Sequence, residues 1–320
     1  MLFTTCIEHL RTQPIWFLLI SSLGFFTILK KSATFLNWVF ITFIRDPKDL
    51  KRYGSWAMVT GSTDGIGKAF AYQLAKKGLN LILVSRNSSK LKSVSKEFQA
   101  EFPDTQIKTI AFDFSSNILE GVKEIEEGIK GLEIGILINN VGVSYPSAAY
   151  FHEVDEQVWM DIVRVNLEGT TWVSRAVLPG MLQRKRGAIV NIGSGAAIVV
   201  PSHPLYTTYA ATKSYIDQLS RCLHVEYKHC GIDVQCQVPL YVATKMASDI
   251  ASIKRSSLFV PSPDDYAEAA IRHIGYEARC TPYWSHWVQW CFAGLLPEAI
   301  LDSWRLSIGI NRRQGKLLIP

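Results

Sequence analysis

Trp56-Ala-Met-Val-Thr60, then Gly61-Ser-Thr-Asp-Gly65-Ile-Gly67, then Lys68 to Lys77, is the stretch that decides the fold. The first five residues form a short apolar run with the composition of a buried strand. The last ten read as a helix. Between them the glycines recur as G-x-x-x-G-x-G. Strand, glycine turn and helix is the geometry in which backbone N–H groups and a helix N-terminus receive a pyrophosphate. Gly61 then permits the tight turn, Gly65 admits the ligand, and Gly67 lets helix and strand approach. Ser62, Thr63, Asp64 and Ile66 are the other expected members of this cofactor-binding turn.

Downstream the pattern repeats. Asn80–Val84 read as a second strand ending in Ser85-Arg86. An acid there would bond a ribose 2′-hydroxyl; a guanidinium instead accommodates a 2′-phosphate, which points to NADP(H). Ile107–Phe112 read as strand three, ending at Asp113, placed to face an adenine. Gly135–Ile138 form strand four, before Asn139-Asn140-Val141-Gly142. Ala188–Ile192 form strand five, before Gly193-Ser194. Ile232–Val238 form strand six, closed by Pro239. Residues 88–101, 155–165 (leading to Asn166) and 206–227 read as helices. Strands alternating with helices imply an α/β fold: a doubly wound parallel sheet of Rossmann type. Ligands bind such sheets beyond the carboxyl ends of the strands, where Gly61, Asn139, Ser194 and Pro239 all fall.

Within the helix at 206–227, Tyr209-Ala-Ala-Thr-Lys213 places a phenol and an ammonium four residues apart, on one face. A phenol normally ionises near pH ~10, and a nearby cation lowers that value. The pair is therefore expected to tune Tyr209 for proton transfer. Ser194, fifteen residues upstream, and Asn166 would be ordinary strand-end and helix-end caps in isolation. Beside Tyr209 and Lys213 they read as members of one site.

After Pro239, residues 244–263 suit a loop or lid, and 263–276 a helix. Tyr283 to Leu296 carries three tryptophans and almost no charge. It reads as core, as a lipid-facing surface or as an acyl-chain channel; interfacial Trp and Tyr favour membrane contact. No repeat or low-complexity tract occurs.

Hydrophobic residues make up 48% of the 320, high for a purely soluble chain, and the net charge is +6. The distribution of charge says more. Residues 14–29 are uncharged, and Lys30, Lys31, Arg45, Lys48, Lys51 and Arg52 follow. Sixteen helical residues span about 24 Å, short of a ~30 Å hydrocarbon core. Extension to Thr12 and snorkelling of Lys30 and Lys31 would close the gap. A second apolar run, 33–44, is expected to lie in the interface. A membrane anchor is preferred over a soluble core helix or a cleaved signal peptide. The following basic residues place the C-terminal bulk in the cytosol, with Arg11 acting against. No basic face with stacking aromatics is present, so no nucleic-acid partner is expected. Six scattered cysteines without C-x-x-C suit reduced thiols, and seven histidines without zinc spacing predict no metal site. The expected divisions are an anchor and basic linker at 1–50, a catalytic domain at 51–280 and a hydrophobic extension at 281–320.

Taken together, T-G-x-x-x-G-I-G at Thr60–Gly67, N-N-x-G at Asn139–Gly142, Asn166, Ser194 and Y-x-x-x-K at Tyr209–Lys213 resemble the short-chain dehydrogenase/reductase family over roughly residues 55–276. Two positions depart from that pattern: Val141 stands where alanine is usual, and Leu240 where glycine follows Pro239. The resemblance implies that Ser194 polarises a substrate carbonyl, Tyr209 supplies the proton, Lys213 holds the nicotinamide ribose, and Asn166 anchors a water. It also implies cofactor contacts from Asn140 and Thr244. The anchor, Asn191–Ala197, Leu223–Tyr227 and Gln235–Met246 resemble most the membrane-bound 3-ketoacyl-CoA reductases of very-long-chain fatty acid elongation, relatives of 17β-hydroxysteroid dehydrogenases. That implies a long-chain acyl-CoA substrate, membrane lipid and elongase subunits as partners, a homodimer through long helices, and an endoplasmic reticulum location. The dilysine signal common in such enzymes is absent from Gly315–Pro320. Two other functions stay open, a steroid or lipid-ketone dehydrogenase and a non-catalytic NADPH-binding elongase subunit.

Overall fold

The computed structural model describes residues 13–315. Arg11, Thr12, Cys6 and the tail at 316–320 lie outside the described residues. The chain divides after Asp46 into two compact units.

In the first unit, α1 (Ile15–Val39) runs on through a π-helical turn at Phe40–Ile44. The sequence pattern predicts two segments, one spanning and one interfacial. The structure instead makes a single apolar helix of 30 residues, about 45 Å long at 1.5 Å per residue. No proline or glycine separates the two runs, and lysine is a good helix former, so Lys30 and Lys31 do not interrupt it. Thr27 and Thr34 return their hydroxyls to the carbonyls of Leu23 and Lys30, at 2.7 and 2.9 Å.

The second unit is built on seven parallel strands, ordered β3-β2-β1-β4-β5-β6-β7. These are β1 (Trp56–Thr60), β2 (Asn80–Ser85), β3 (Ile107–Ala111), β4 (Ile134–Asn139), β5 (Gly187–Ile192), β6 (Ile232–Gln237) and β7 (Arg279–Cys280). β4 and β5 are buried along their whole length. Runs apolar on both faces need cover on both faces, which crossover helices supply. On one face α2 (Gly65–Lys76) and α3 (Ser88–Glu101) pack Phe70, Leu74, Leu91 and Phe98 onto the sheet. On the other, α4 (Ile118–Ile129), α5 (Glu156–Ile162) and α6 (Gly169–Arg184) precede β5, and Ile125, Val173, Val177 and Met181 fill the core. α7 (Gly195–Ile198) and α8 (Thr207–Tyr227) follow β5. After β6 come α9 (Lys245–Ala251), α10 (Pro263–Ile271), α11 (Trp284–Ala293) and α12 (Glu298–Arg313). Chain order reverses beside β1, whose neighbours are β2 and β4. That switch point is where doubly wound sheets bind ligands.

The doubly wound sheet expected from the sequence is thus the one observed. Helices α4, α6 and α12 and strand β7 lie outside the elements expected from the sequence, although α4 is amphipathic, burying Val122 and Ile125 behind an Asn117 cap. α6 contains Pro179 and begins at a glycine, and β7 is only two residues long. The expected lid holds a short helix, α9, capped by Thr244.

The entry to β1 is tied down by a buried phenol. Tyr53, 2% exposed, donates to Asp233 on β6, and Lys48 pairs with the same carboxylate at 3.2 Å. Burial and Asp233 hold the phenol protonated. Tyr53→Phe should lower unfolding free energy by about 1.5–3 kcal/mol, the range for a hydrogen bond to a charged partner. A denaturant midpoint equal to wild type would show that this contact does not support the fold.

Candidate active site

The glycine turn leaves β1 with Gly61 at φ +66° and Gly65 at φ +52°, both in the region that favours glycine. A Cβ at Gly67 would lie 2.3 Å from the Gly61 carbonyl oxygen and from Asn140 Nδ2, so helix and turn touch backbone to backbone. Asp64 caps α2, accepting from Gly65 N at 2.8 Å. The helix N-terminus therefore points into the cleft with its amide donors, a seat for an anion. Thr244, the cap of α9, lies against Gly65.

Not every expected cofactor residue faces the cleft. Asn140 works as a brace: Nδ2 donates to the carbonyls of Thr60 (3.1 Å) and Gly61 (3.2 Å). Ser62 is fully buried, its hydroxyl turned to the Val84 carbonyl. Thr63 meets the Ser85 hydroxyl at 3.0 Å, linking the turn to the end of β2. Ile66 packs on the core. Arg86 is exposed beside Ser85, and no hydrogen bond or ion pair is assigned to it among the described residues. Asp113, beyond β3, accepts from Ser115 N (3.0 Å) and Oγ (2.8 Å), which fixes its carboxylate in a local turn.

The other four residues converge at the ends of β4 and β5 and on α8. Ser194 precedes α7 and caps it, its hydroxyl accepting from Ala196 N at 3.2 Å. Lys213 is 6% exposed and donates from Nζ to the Ile192 carbonyl at 2.8 Å. Its Nζ lies 6.0 Å from the Tyr209 ring centroid. Asn166 sits in a π-helical turn at Val163–Glu168, a distortion that often marks functional sites. Its side chain is tied to protein at three points: Oδ1 accepts from Val143 N (2.8 Å), and Nδ2 donates to the Val143 carbonyl (3.0 Å) and to Thr212 Oγ1 (3.1 Å). Thr212 in turn donates to the Tyr209 carbonyl at 2.8 Å. Asn166 thus clamps the Tyr209 turn of α8 to the loop after β4.

The electrostatics differ from the expectation that Lys213 pulls the phenol toward neutrality. Burial raises the pKa of Tyr209, the Ser194 side chain acts in the lowering direction, and Tyr241 adds to the rise. Burial also depresses Lys213, to about 8. The reason is placement: the ammonium is held on the Ile192 carbonyl rather than on the phenol oxygen. A phenol protonated at neutral pH is suited to giving a proton to a developing alkoxide.

Three groups beyond the expected set lie close by. Tyr241 follows β6. Arg312 on α12 donates to its hydroxyl at 2.9 Å. His286 on α11 is fully buried, with its pKa pushed down to about 4, chiefly by burial. It holds the chain after β6 at Leu240 N (3.3 Å) and the Tyr241 carbonyl (3.1 Å). The readable signal for α12 was an arginine at Arg305, spaced by four from the buried Leu301 and Gly309.

A dinucleotide fits this geometry. The glycine turn has room where a Cβ would intrude, a capped helix faces it, and a buried ammonium stands at the far end. The chain belongs to the short chain dehydrogenase family, whose model matches residues 55–254.

Its relatives agree. It is 61% identical to a very-long-chain 3-oxoacyl-CoA reductase-like protein of Arabidopsis thaliana, over 96% of this chain and 98% of that one. It is 38% identical to a very-long-chain 3-oxoacyl-CoA reductase of Caenorhabditis elegans, over 85% of each. It is also 43% identical to the inactive hydroxysteroid dehydrogenase-like protein 1 of Homo sapiens, over 78% of this chain and 74% of that one. Among solved structures, a short-chain dehydrogenase from Sphingobium yanoikuyae in complex with NADPH superposes with a TM-score of 0.61 at 27% identity, covering 68% of this chain and 83% of that one.

A buried lysine with a depressed pKa is destabilising while protonated, and that penalty fades as pH rises between its folded and unfolded values. Relative to Lys213→Met, the wild-type protein should therefore gain stability from pH about 8 to 10.5, the folded and ordinary values for this lysine. Unfolding curves at several pH values read this difference. A gap that stays constant over that window would mean that Lys213 is not buried as a cation.

Proposed function

We propose that this protein is an NADPH-dependent reductase that converts a long-chain 3-oxoacyl-CoA to its 3-hydroxyacyl-CoA during very-long-chain fatty acid elongation. The observation that carries the catalytic part is the convergence of Ser194, Tyr209 and Lys213, with Asn166 bracing the turn from which Tyr209 projects. The substrate class is supported by the names of the Arabidopsis and Caenorhabditis relatives. Arg86 at the end of β2 supports the 2′-phosphate.

When bound, the reduced nicotinamide supplies the hydride to the ketone carbon. Ser194 donates a hydrogen bond to the ketone oxygen. Tyr209 gives its proton to that oxygen, so the ketone gains one hydride and one proton. Lys213 binds the ribose hydroxyls and favours the phenolate left behind. Both N–H groups of Asn166 are used and its Oδ1 accepts once, so the second lone pair of Oδ1 is where its side chain would anchor the water. Gly61, Gly65 and Gly67 admit the pyrophosphate, with Asn140 and Ser62 bracing the turn from behind. Asp113 flanks the adenine, and Thr244 closes over the turn.

The apolar helix at Ile15–Ile44 is proposed as a membrane anchor, with the catalytic unit on the cytosolic face of the endoplasmic reticulum. Other elongase subunits, or a second copy through the long helices, are the proposed partners, and residues 281–300 are proposed to touch lipid. A second reading, a non-catalytic NADPH-binding subunit, is favoured by one observation: a human relative at 43% identity bears the name inactive. The steroid-ketone reading draws on the same name.

NADPH consumption with a long-chain 3-oxoacyl-CoA and with a ketosteroid separates these readings. Turnover of the thioester is expected; NADPH binding without consumption of either would favour the scaffold. Tyr209→Phe should keep NADPH affinity and lose about 10²–10⁴-fold in kcat, the usual share of acid catalysis. Undiminished turnover would discard Tyr209 as the acid. Arg86→Ala should weaken NADPH by about tenfold or more, the loss of one charge-assisted contact, and leave NADH nearly unchanged. Equal loss for both cofactors would overturn the 2′-phosphate assignment.

A further inference from the structure

The lid is apolar at a turn where polar residues are the rule. It opens and closes at one neck, where Ala243 N donates to the Pro261 carbonyl at 2.9 Å. Thr244, at that neck, lies against Gly65 of the cofactor turn. Between them the chain makes a two-residue turn, closed by a bridge between Ser257 and Val260 with N–H···O bonds of 2.7 and 3.1 Å. Leu258 and Phe259 occupy the turn, 59% and 51% exposed. Glycine, asparagine, aspartate and serine ordinarily fill such positions. Two large apolar side chains left side by side in water there call for a partner.

A second apolar segment stands beside this turn. Gln289 on α11 donates from Nε2 to the Phe259 carbonyl at 3.0 Å. Phe292, three residues on and so on the same side of the helix, is 66% exposed. The chain then turns toward α12 and puts out Leu295, 75% exposed, and Leu296. Their amides donate to the carbonyls of Phe292 and Ala293, each at 3.1 Å. The exposed leucines are therefore held in a hydrogen-bonded turn rather than on a loose strand.

The charge along these two segments has one sign. Lys254 and Arg255 are exposed just before the turn, and no ion pair engages either among the described residues. No acid occurs between Asp249 and Asp264, or between Glu277 and Glu298. Cations beside projecting apolar side chains match a bilayer, whose anionic headgroups lie over an apolar interior. A two-fold contact between copies would instead set these cations against each other. The same chain also carries a 30-residue apolar helix with no residue buried in the protein. Seated in a bilayer, that helix keeps lipid at high effective concentration.

We propose that the lid turn at 257–260 and the end of α11 form a docking surface for an anionic bilayer. Leu258, Phe259, Phe292 and Leu295 enter the acyl boundary, and Lys254 and Arg255 meet the lipid phosphates. This rests on the membrane reading of the apolar helix and adds a second contact, made by the lid itself. Because the lid neck at Thr244 borders the cofactor turn, a docked lid keeps the cover of the cleft at the lipid surface, where a long-chain acyl substrate partitions.

The test places the full chain in liposomes of phosphatidylcholine and phosphatidylserine that hold a trace of phosphatidylcholine with a diazirine in its acyl chain. After illumination, peptide mass spectrometry maps the lipid adducts. Adducts are expected at 258–259 and 292–296 as well as within Ile15–Ile44. Replacing the phosphatidylserine with phosphatidylcholine, or combining Lys254→Glu with Arg255→Glu, should lower the yield at 258–259 at least about fivefold and leave the yield within Ile15–Ile44 unchanged. Adducts confined to Ile15–Ile44 would overturn the proposal. So would a yield at 258–259 indifferent to lipid charge or to the two substitutions. A turn without adducts in particles that hold two chains would give the face to a second copy, which overturns it too. Adducts at 258–259 with none in Ile15–Ile44 would sink the anchor and keep the docking surface. The readout is adducts rather than turnover, so a protein that reduces no ketone decides the question equally well.

Discussion

A buried ammonium has to be held, and what holds Lys213 arranges the rest of the site. Its Nζ donates to the Ile192 carbonyl at 2.8 Å, at the last residue of β5. That contact fastens α8 to the strand end where Ser194 begins. Asn166 fastens the same helix from the other side, through Thr212 and the Tyr209 carbonyl. Tyr209 is thereby fixed between two anchors that belong to different crossovers of the sheet. Burial keeps it protonated, and the proton is what a forming alkoxide requires.

The same principle governs the cofactor end. Helix α2 can begin against β1 only because Gly67 has no side chain and Asn140 ties the turn from β4. Two neighbouring strands, β1 and β4, thus build one cradle at the point where the chain changes direction. Ser62 and Asn140 lie within motifs read as cofactor contacts, yet their side chains stabilise the backbone whose amides would do the binding.

Much of this was legible because it depends on local chemistry. Glycines at 61, 65 and 67 need no knowledge of distant contacts, and neither does the i, i+4 pairing of Tyr209 with Lys213. Apolar strands bounded by turns were equally plain. What stayed hidden depends on tertiary context. The direction of the Tyr209 shift follows from burial and from Lys213 choosing a carbonyl on β5. Helix α6 carries Pro179 and so lacks the pattern of an uninterrupted helix. Helix α12 is polar on average, and its inward face of Leu301, Arg305 and Gly309 makes sense only beside His203 and Tyr241. At the other end, two apolar runs separated by Lys30 and Lys31 look like two elements by charge but form one helix, since nothing in the backbone breaks between them.

A crystal structure of the protein with NADP⁺ bound is the most direct examination of this arrangement. The pyrophosphate is expected on the amides of the glycine turn, the nicotinamide ring beside the Tyr209 hydroxyl, and Lys213 Nζ on the ribose. A dinucleotide seated away from Tyr209, or a Tyr209 hydroxyl turned to solvent with Lys213 directed elsewhere, would contradict it.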